Sequence, residues 1–158
     1  MTGPEQNPAA GDLAGRDPDL PSSILFLCRM NAVRSPMAEA AARAMLPRSV
    51  FVSSAGVRPG EADPFVAALL GQEGMADKLH PPRGFEDLDD AYFDLIVTLA
   101  PEAHHKALDM TRALATTVEY WPTADPSSAS GTRDQIMGAY RDVLNHLKAR
   151  IRSRFLKG

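Results

Sequence analysis

The apolar run SILFLC, Ser23 to Cys28, passes through RMNAV directly into RSPMAEAAARAML, a strong helix former. That join restricts the fold more than any other part of the chain. An apolar run this short, without polar alternation, reads as a strand buried on both faces. Such strands belong to parallel sheets covered by helices. Pro36 suits a first helical position, with Ser35 as N-cap. A short loop therefore carries the chain from the end of a buried strand to the N-terminus of a helix.

The same alternation continues. SVFVSS, Ser49 to Ser54, reads as a second strand closed by Ala55-Gly56. Asp63-Pro64 opens a helix with Phe65, Val66, Leu69 and Leu70 on one face. YFDLIVTLA, Tyr92 to Ala100, reads as a third strand, with Pro101 starting the next helix. TTVEYW, Thr116 to Trp121, reads as a fourth. Thr132 and Gln135 have capping-box spacing, and Ile136, Tyr140, Val143, Leu144, Leu147 and Ile151 then recur at helical period. Strands alternating with helices imply an α/β fold, in which ligands sit at the carboxyl ends of the strands. Cys28 stands at such an end.

Residues 1–22 are rich in Pro, Gly and Asp and nearly lack large apolar side chains, so they read as a disordered leader before a single domain over 23–158. The leader holds four acidic groups against Arg16. The domain is neutral, with 16 groups of each sign. This balance gives no drive toward nucleic acid or anionic membranes. One cysteine excludes an internal disulfide and any Cys-x-x-Cys pair, and the four histidines lack zinc-ligand spacing. With no long apolar run, a cytoplasmic protein without metal or cofactor is expected.

At a helix N-terminus, unpaired amides and the positive end of the helix dipole favour an oxyanion such as phosphate or arsenate. Arg34, six positions after Cys28, adds a fork that grips two oxygens of a tetrahedral anion. The same field favours a thiolate at Cys28. A lone cysteine ending an apolar strand is by itself a common small core residue. Cys-x5-Arg-Ser between a strand and a helix is far more demanding.

CRMNAVRSPMAEA resembles the phosphate loop of the low-molecular-weight protein tyrosine phosphatases and of the arsenate reductases that share their fold. Cys28, Asn31, Arg34, Ser35, Pro36, Ala38 and Glu39 match in register. The resemblance continues through SSAGVRPGEADPF, GMADKLHPPR and FDLIVTLAPE to ADPSS. It implies a three-layer sandwich whose four-stranded parallel sheet, flanked by helices, has the order 2-1-3-4. It implies Cys28 as nucleophile and a cysteinyl-phosphate intermediate. Arg34 and the amides of Arg29, Met30, Asn31, Ala32, Val33 and Ser35 would hold the phosphoryl oxygens. Ser35 would support the thiolate, Asn31 would brace the loop, and Asp125, before Pro126, would be the general acid. The expected activity is phosphate monoester hydrolysis. Alternatives are a single-cysteine arsenate reductase using an external small thiol, and a non-catalytic anion-binding module. The expected partner is a phosphorylated substrate or small oxyanion, bound by a monomer or weak dimer.

The chain departs from the family pattern in several places. Met30 stands for the usual Gly, so the loop is expected to differ there. Val33 replaces a second cysteine. Ser127 and Ser128 follow Asp125-Pro126 where aromatic residues wall a phenyl slot. No aromatic appears in GVRPGEADP, Arg29 stands next to Cys28, and Arg58 is expected near the rim. The entrance therefore reads as polar and basic. The basic C-terminal run RDVLNHLKARIRSRFLKG reads as the solvated face of a helix. His104 and His105 read as surface residues, His80 has no assignable role, and Trp121 is expected beneath the acid loop.

Overall fold

The computed structural model describes residues 20–88 and 92–156. Four strands, β1 (Ser23–Cys28), β2 (Phe51–Gly56), β3 (Leu95–Thr98) and β4 (Thr117–Tyr120), alternate with α1 (Arg34–Met45), α2 (Pro64–Gln72), α3 (Pro101–Met110) and α4 (Arg133–Phe155). The strands form one parallel sheet in the order β2-β1-β3-β4. The expected α/β sandwich and strand order are what the chain adopts.

Alternation along the central strand explains the layers. Ile24, Phe26 and Cys28 face a core shared with α1, α2 and α4, whereas Leu25 and Leu27 face Ala103 and Ala107 of α3. All five side chains are buried, and each large one contributes roughly 2 kcal/mol by leaving water. In α1, the fully buried Ala38, Ala40, Ala41 and Ala42 let the helix close on the sheet and on α4. Pro47, just past the C-cap Leu46, forbids its continuation. Pro at the first helical turn opens α2 and α3. Asp63 caps α2, and Thr132 with Gln135 forms the expected capping box of α4.

The expected boundaries move in three places. β2 runs through Gly56 rather than stopping at Ser54, because Ala55 and Gly56 pair with Leu27 and Cys28. β3 and β4 are shorter than expected, with Trp121 just past the end of β4 still bonded through its amide to Thr98 O. Ser35 is not the N-cap of α1. The helix begins at Arg34 behind Val33, without a side-chain cap, because the Ser35 hydroxyl is engaged by the site instead.

The disordered leader expected over 1–22 lies, as far as residue 19, outside the described residues. Leu20 packs against the core, and Ser22 bonds through its amide to Asp94 Oδ2 and through its carbonyl to Phe51 N. Among the described residues, no helix is long and apolar enough to cross a membrane.

Candidate active site

The parallel register places the ends of β1 and β2 side by side, with Cys28 opposite Gly56. There is no room for a side chain on Gly56. A Cβ would stand 2.6–2.7 Å from backbone atoms of Met30, Asn31 and Arg58. Beyond the strands, the carbonyls of Cys28, Arg29 and Met30 accept from the amides of Val57, Arg58 and Gly60. Within the loop, no acceptor among the described residues meets the amides of Met30, Asn31, Ala32, Val33, Arg34 or Ser35. Six donors beside a thiol, at the start of α1, form a cradle for a tetrahedral anion.

Asn31 gives the loop its turn. It has φ 55°, the left-handed region that asparagine tolerates better than most residues. Its buried amide donates to Ser35 Oγ (2.8 Å) and Ser54 Oγ (3.0 Å), and its Oδ1 accepts from Arg83 N (3.0 Å). Met30 has no positive φ, so the substitution of Met for Gly leaves the backbone unstrained there. Gly60 accommodates it, because a Cβ on Gly60 would lie 2.8 Å from Met30 Cβ.

Cys28 Sγ lies 2.9 Å from Ser35 Oγ. The hydroxyl is held by Asn31 on one side and lies 3.3 Å from Ala55 O on the other. Its single proton is directed to Ala55 O and turns to the sulfur when Cys28 is a thiolate, which can only accept.

Behind this contact is a network that sequence reasoning did not assign. The Ser54 hydroxyl donates to Glu39 Oε1 (2.5 Å), and His80 Nε2 lies 2.7 Å from the same oxygen. Glu39 is only 1% exposed. Its hydrogen bond raises the His80 pKa above the usual value, against a smaller opposing effect of burial. Arg43 Nε is 3.1 Å from Glu39 Oε2, but its N–H groups are directed to Val52 O, so that contact is charge pairing without a hydrogen bond.

Arg34 and Asp125 meet across the cavity. The Arg34 guanidinium donates to Thr123 O (3.1 Å) and stands 3.8 Å from Asp125 Oδ2. Asp125 Oδ1 accepts from Ser127 N (3.0 Å), capping the 3-10 turn Pro126–Ser128. Partial burial of this carboxyl raises its pKa. The hydrogen bonds from Ser127, with the charges of Arg34 and Arg29, outweigh that effect and hold it below the usual aspartate value.

Cys28, Arg29, Met30, Ala32, Val33, Arg34 and Asp125 all line one open cavity of about 730 Å³, whose remaining wall comes from residues 59–65, Ser127 and Tyr140. Asn31 and Ser35 lie behind the loop, fully buried. The entrance is not purely polar and basic. Phe65 and Tyr140 contribute an aromatic wall with ring centroids 5.3 Å apart, fixed by a 2.6 Å bond from Tyr140 Oη to Asp63 Oδ2. Tyr140 is buried and Phe65 packs against the core, as their helical periods suggest, and nothing in those periods marked the side facing the cavity. Trp121 lies in the core against Phe26 and Phe155. His104 bonds to Thr98 Oγ1 and stacks on Tyr120. Among the described residues, no group of three or more His, Cys, Asp or Glu could hold a metal ion.

Residues 23–155 match the model of the family described as low molecular weight phosphotyrosine protein phosphatase. The chain belongs to that family. Its curated relatives include an arsenate reductase of Shouchella clausii, 30% identical over 131 residues that cover 82% of this chain and 91% of that one. An arsenate reductase of Bacillus licheniformis is also 30% identical, with 82% and 92% covered. Among solved structures, the arsenate reductase of Archaeoglobus fulgidus superposes with a TM-score of 0.64 at 29% identity, over 82% of this chain and 96% of that one. The tyrosine phosphatase amsI of Erwinia amylovora superposes with a TM-score of 0.68 over 87% and 95%. At 22% identity it shows a shared fold. The family is one of enzymes acting on phosphate or related oxyanions, and both activities occur among these relatives.

Proposed function

We propose that the protein hydrolyses phosphate monoesters, with Cys28 as nucleophile, Asp125 as general acid and base, and Arg34 with the loop amides of Arg29 to Ser35 as the phosphoryl cradle. In the first step the Cys28 thiolate attacks phosphorus. An S–P bond forms, the P–O bond to the leaving group breaks, and the Asp125 carboxyl proton passes to the departing oxygen. In the second step the Asp125 carboxylate takes a proton from water. The water oxygen bonds to phosphorus, the S–P bond breaks, and inorganic phosphate leaves. The Ser35 hydroxyl, 2.9 Å from sulfur, stabilises the thiolate at the start and end of the cycle.

The carboxyl proton needed in the first step is supported by the binding event itself. A phosphoryl dianion in the cradle compensates the charges of Arg34 and Arg29, which add to the larger effect of the Ser127 hydrogen bonds in depressing the Asp125 pKa of the free chain.

The observation that favours an ester is the cavity. A small oxyanion needs only the cradle, whereas about 730 Å³ walled by Phe65 and Tyr140 accommodates an organic group, an aryl group above all. The second reading is reduction of arsenate by an external small thiol. It is favoured by the curated relatives at 30% identity. In that reading an external thiolate attacks the sulfur of the Cys28–arsenic bond, and arsenic keeps that electron pair and leaves as arsenite. A second external thiol then reduces the Cys28 mixed disulfide, since the chain has no second cysteine to do so.

Rates of p-nitrophenyl phosphate hydrolysis by the wild type and Cys28→Ser, measured beside arsenate turnover with small thiols, separate the two. Ester hydrolysis lost in Cys28→Ser supports the phosphatase. Arsenate turnover with no ester hydrolysis above that of Cys28→Ser selects the reductase.

A further inference from the structure

We propose that Arg29 and Arg58, held side by side by Glu102, form a rim subsite that selects phosphate monoesters carrying a second anionic group near the phosphoryl. The proposal rests on the hydrolase reading above and specifies its substrate class.

The geometry begins in the backbone. Arg58 N donates to Arg29 O (3.2 Å), flanked by the bonds from Val57 N to Cys28 O and from Gly60 N to Met30 O. This short ladder fixes the residue after the nucleophile beside the residue two past β2. Both side chains reach the first turn of α3, where Arg29 Nε lies 3.3 Å from Glu102 Oε1 and Arg58 Nη1 lies 2.8 Å from Glu102 Oε2. Two guanidinium groups share one carboxylate, so the cluster keeps a net positive charge.

Most of its donors are unused. Arg29 makes no contact among the described residues through its terminal nitrogens, and Arg58 engages Glu102 through Nη1 alone. All three side chains are about half exposed, at 56% for Arg29, 48% for Arg58 and 44% for Glu102. Exposed ion pairs are weak, so a substrate carboxylate can join or replace Glu102 at little cost. Arg29 lines the catalytic cavity, and a guanidinium fork matches a carboxylate in two-point contact.

The cavity wall also carries carboxylates. Asp63 is occupied by Phe65 N and Tyr140 Oη, and Asp125 by Ser127 N. Glu61 makes no ion pair or hydrogen bond among the described residues. An anionic group beside the phosphate is therefore repelled from the Glu61 side and attracted to the Arg29 side.

The test compares kcat/KM for three phosphotyrosine peptides that differ only in flanking Glu, Gln or Lys. In the wild type at low ionic strength, Glu flanks are expected to exceed Gln flanks by about threefold to fivefold, with the preference fading near 0.5 M salt. Arg58→Gln and Arg29→Gln should bring the ratio close to one, and Glu102→Gln should enlarge it. Equal rates for the three peptides, a preference for Lys flanks, or a Glu preference unchanged in both arginine variants overturns the subsite while leaving the hydrolase reading standing. Absence of hydrolysis of every peptide overturns the subsite alone where p-nitrophenyl phosphate is still hydrolysed, and overturns both readings where it is not.

Discussion

Cys28 Sγ and Ser35 Oγ lie 2.9 Å apart, although their chain positions belong to a strand and a helix. Asn31 fixes the hydroxyl by donating to it, and its single proton, otherwise directed to Ala55 O at 3.3 Å, turns to a thiolate sulfur. Replacing Ser35 with Ala removes a hydrogen bond to a charged group, and about a tenfold fall in kcat is expected. Alkylation of Cys28 by iodoacetate near pH 6 should slow in parallel, and inorganic phosphate should protect the wild type. An unchanged alkylation rate in Ser35→Ala would show that the hydroxyl does not support the thiolate.

Asp125 should matter in proportion to the basicity of the leaving oxygen. With phenyl phosphate, a poor leaving group, Asp125→Ala is expected to lower kcat by about 10²–10³. With p-nitrophenyl phosphate, which needs little protonation, the loss should be clearly smaller. Equal losses on both esters would count against proton donation by this carboxyl.

The close approach of β2 to the loop after β1 gives a stability prediction. Gly56→Ala would drive a Cβ into three backbone positions and should destabilise the protein by about 2 kcal/mol in urea unfolding. Gly138→Ala, in α4 with nothing near its Cβ direction, should stabilise it by about 1 kcal/mol instead. Similar effects at both positions would contradict the crowded junction.

His80 supplies a pH dependence. Its pKa is raised in the folded chain, chiefly by its hydrogen bond to Glu39. A raised value means that the protonated imidazole favours the folded state. Its contribution is complete below the unfolded value of about 6.5 and is lost as pH rises through the folded one. The Tm advantage of the wild type over Glu39→Gln should therefore shrink as the pH is taken from 6 toward 9. Ring-proton titration by NMR should place His80 above its ordinary value in the wild type and lower in Glu39→Gln. A constant Tm difference over that range would remove the pair from the stability of the loop's support.

The elements and their order were legible because β1 is a continuous apolar run and the helices carry Pro, Asp63 and Thr132 at their starts. Three things were hidden for physical reasons. Ser35 carries an N-cap signal, but its hydroxyl is engaged by Cys28 and Asn31, seven and four positions upstream and outside the forward spacing of a capping pattern. Ala55-Gly56 reads as a turn, yet a parallel neighbour extends β2 through it, and glycine is needed there for close approach. The Glu39–His80 pair spans 41 positions, with no local pattern to join its members. Phe65 and Tyr140 likewise satisfied a helical period while also facing a cavity that only the assembled fold creates.

The central claim is a phosphoryl group carried on Cys28, and it is measured most directly by quenching the reaction in acid during turnover of p-nitrophenyl phosphate. Mass spectrometry of the peptide containing Cys28 should show the added mass of one phosphoryl group. The signal should be stronger in Asp125→Ala, where hydrolysis of the intermediate is slowed, and absent in unreacted protein. Steady hydrolysis with no phosphorylated Cys28 peptide in either form, under conditions that preserve a thiophosphate bond, would contradict the account.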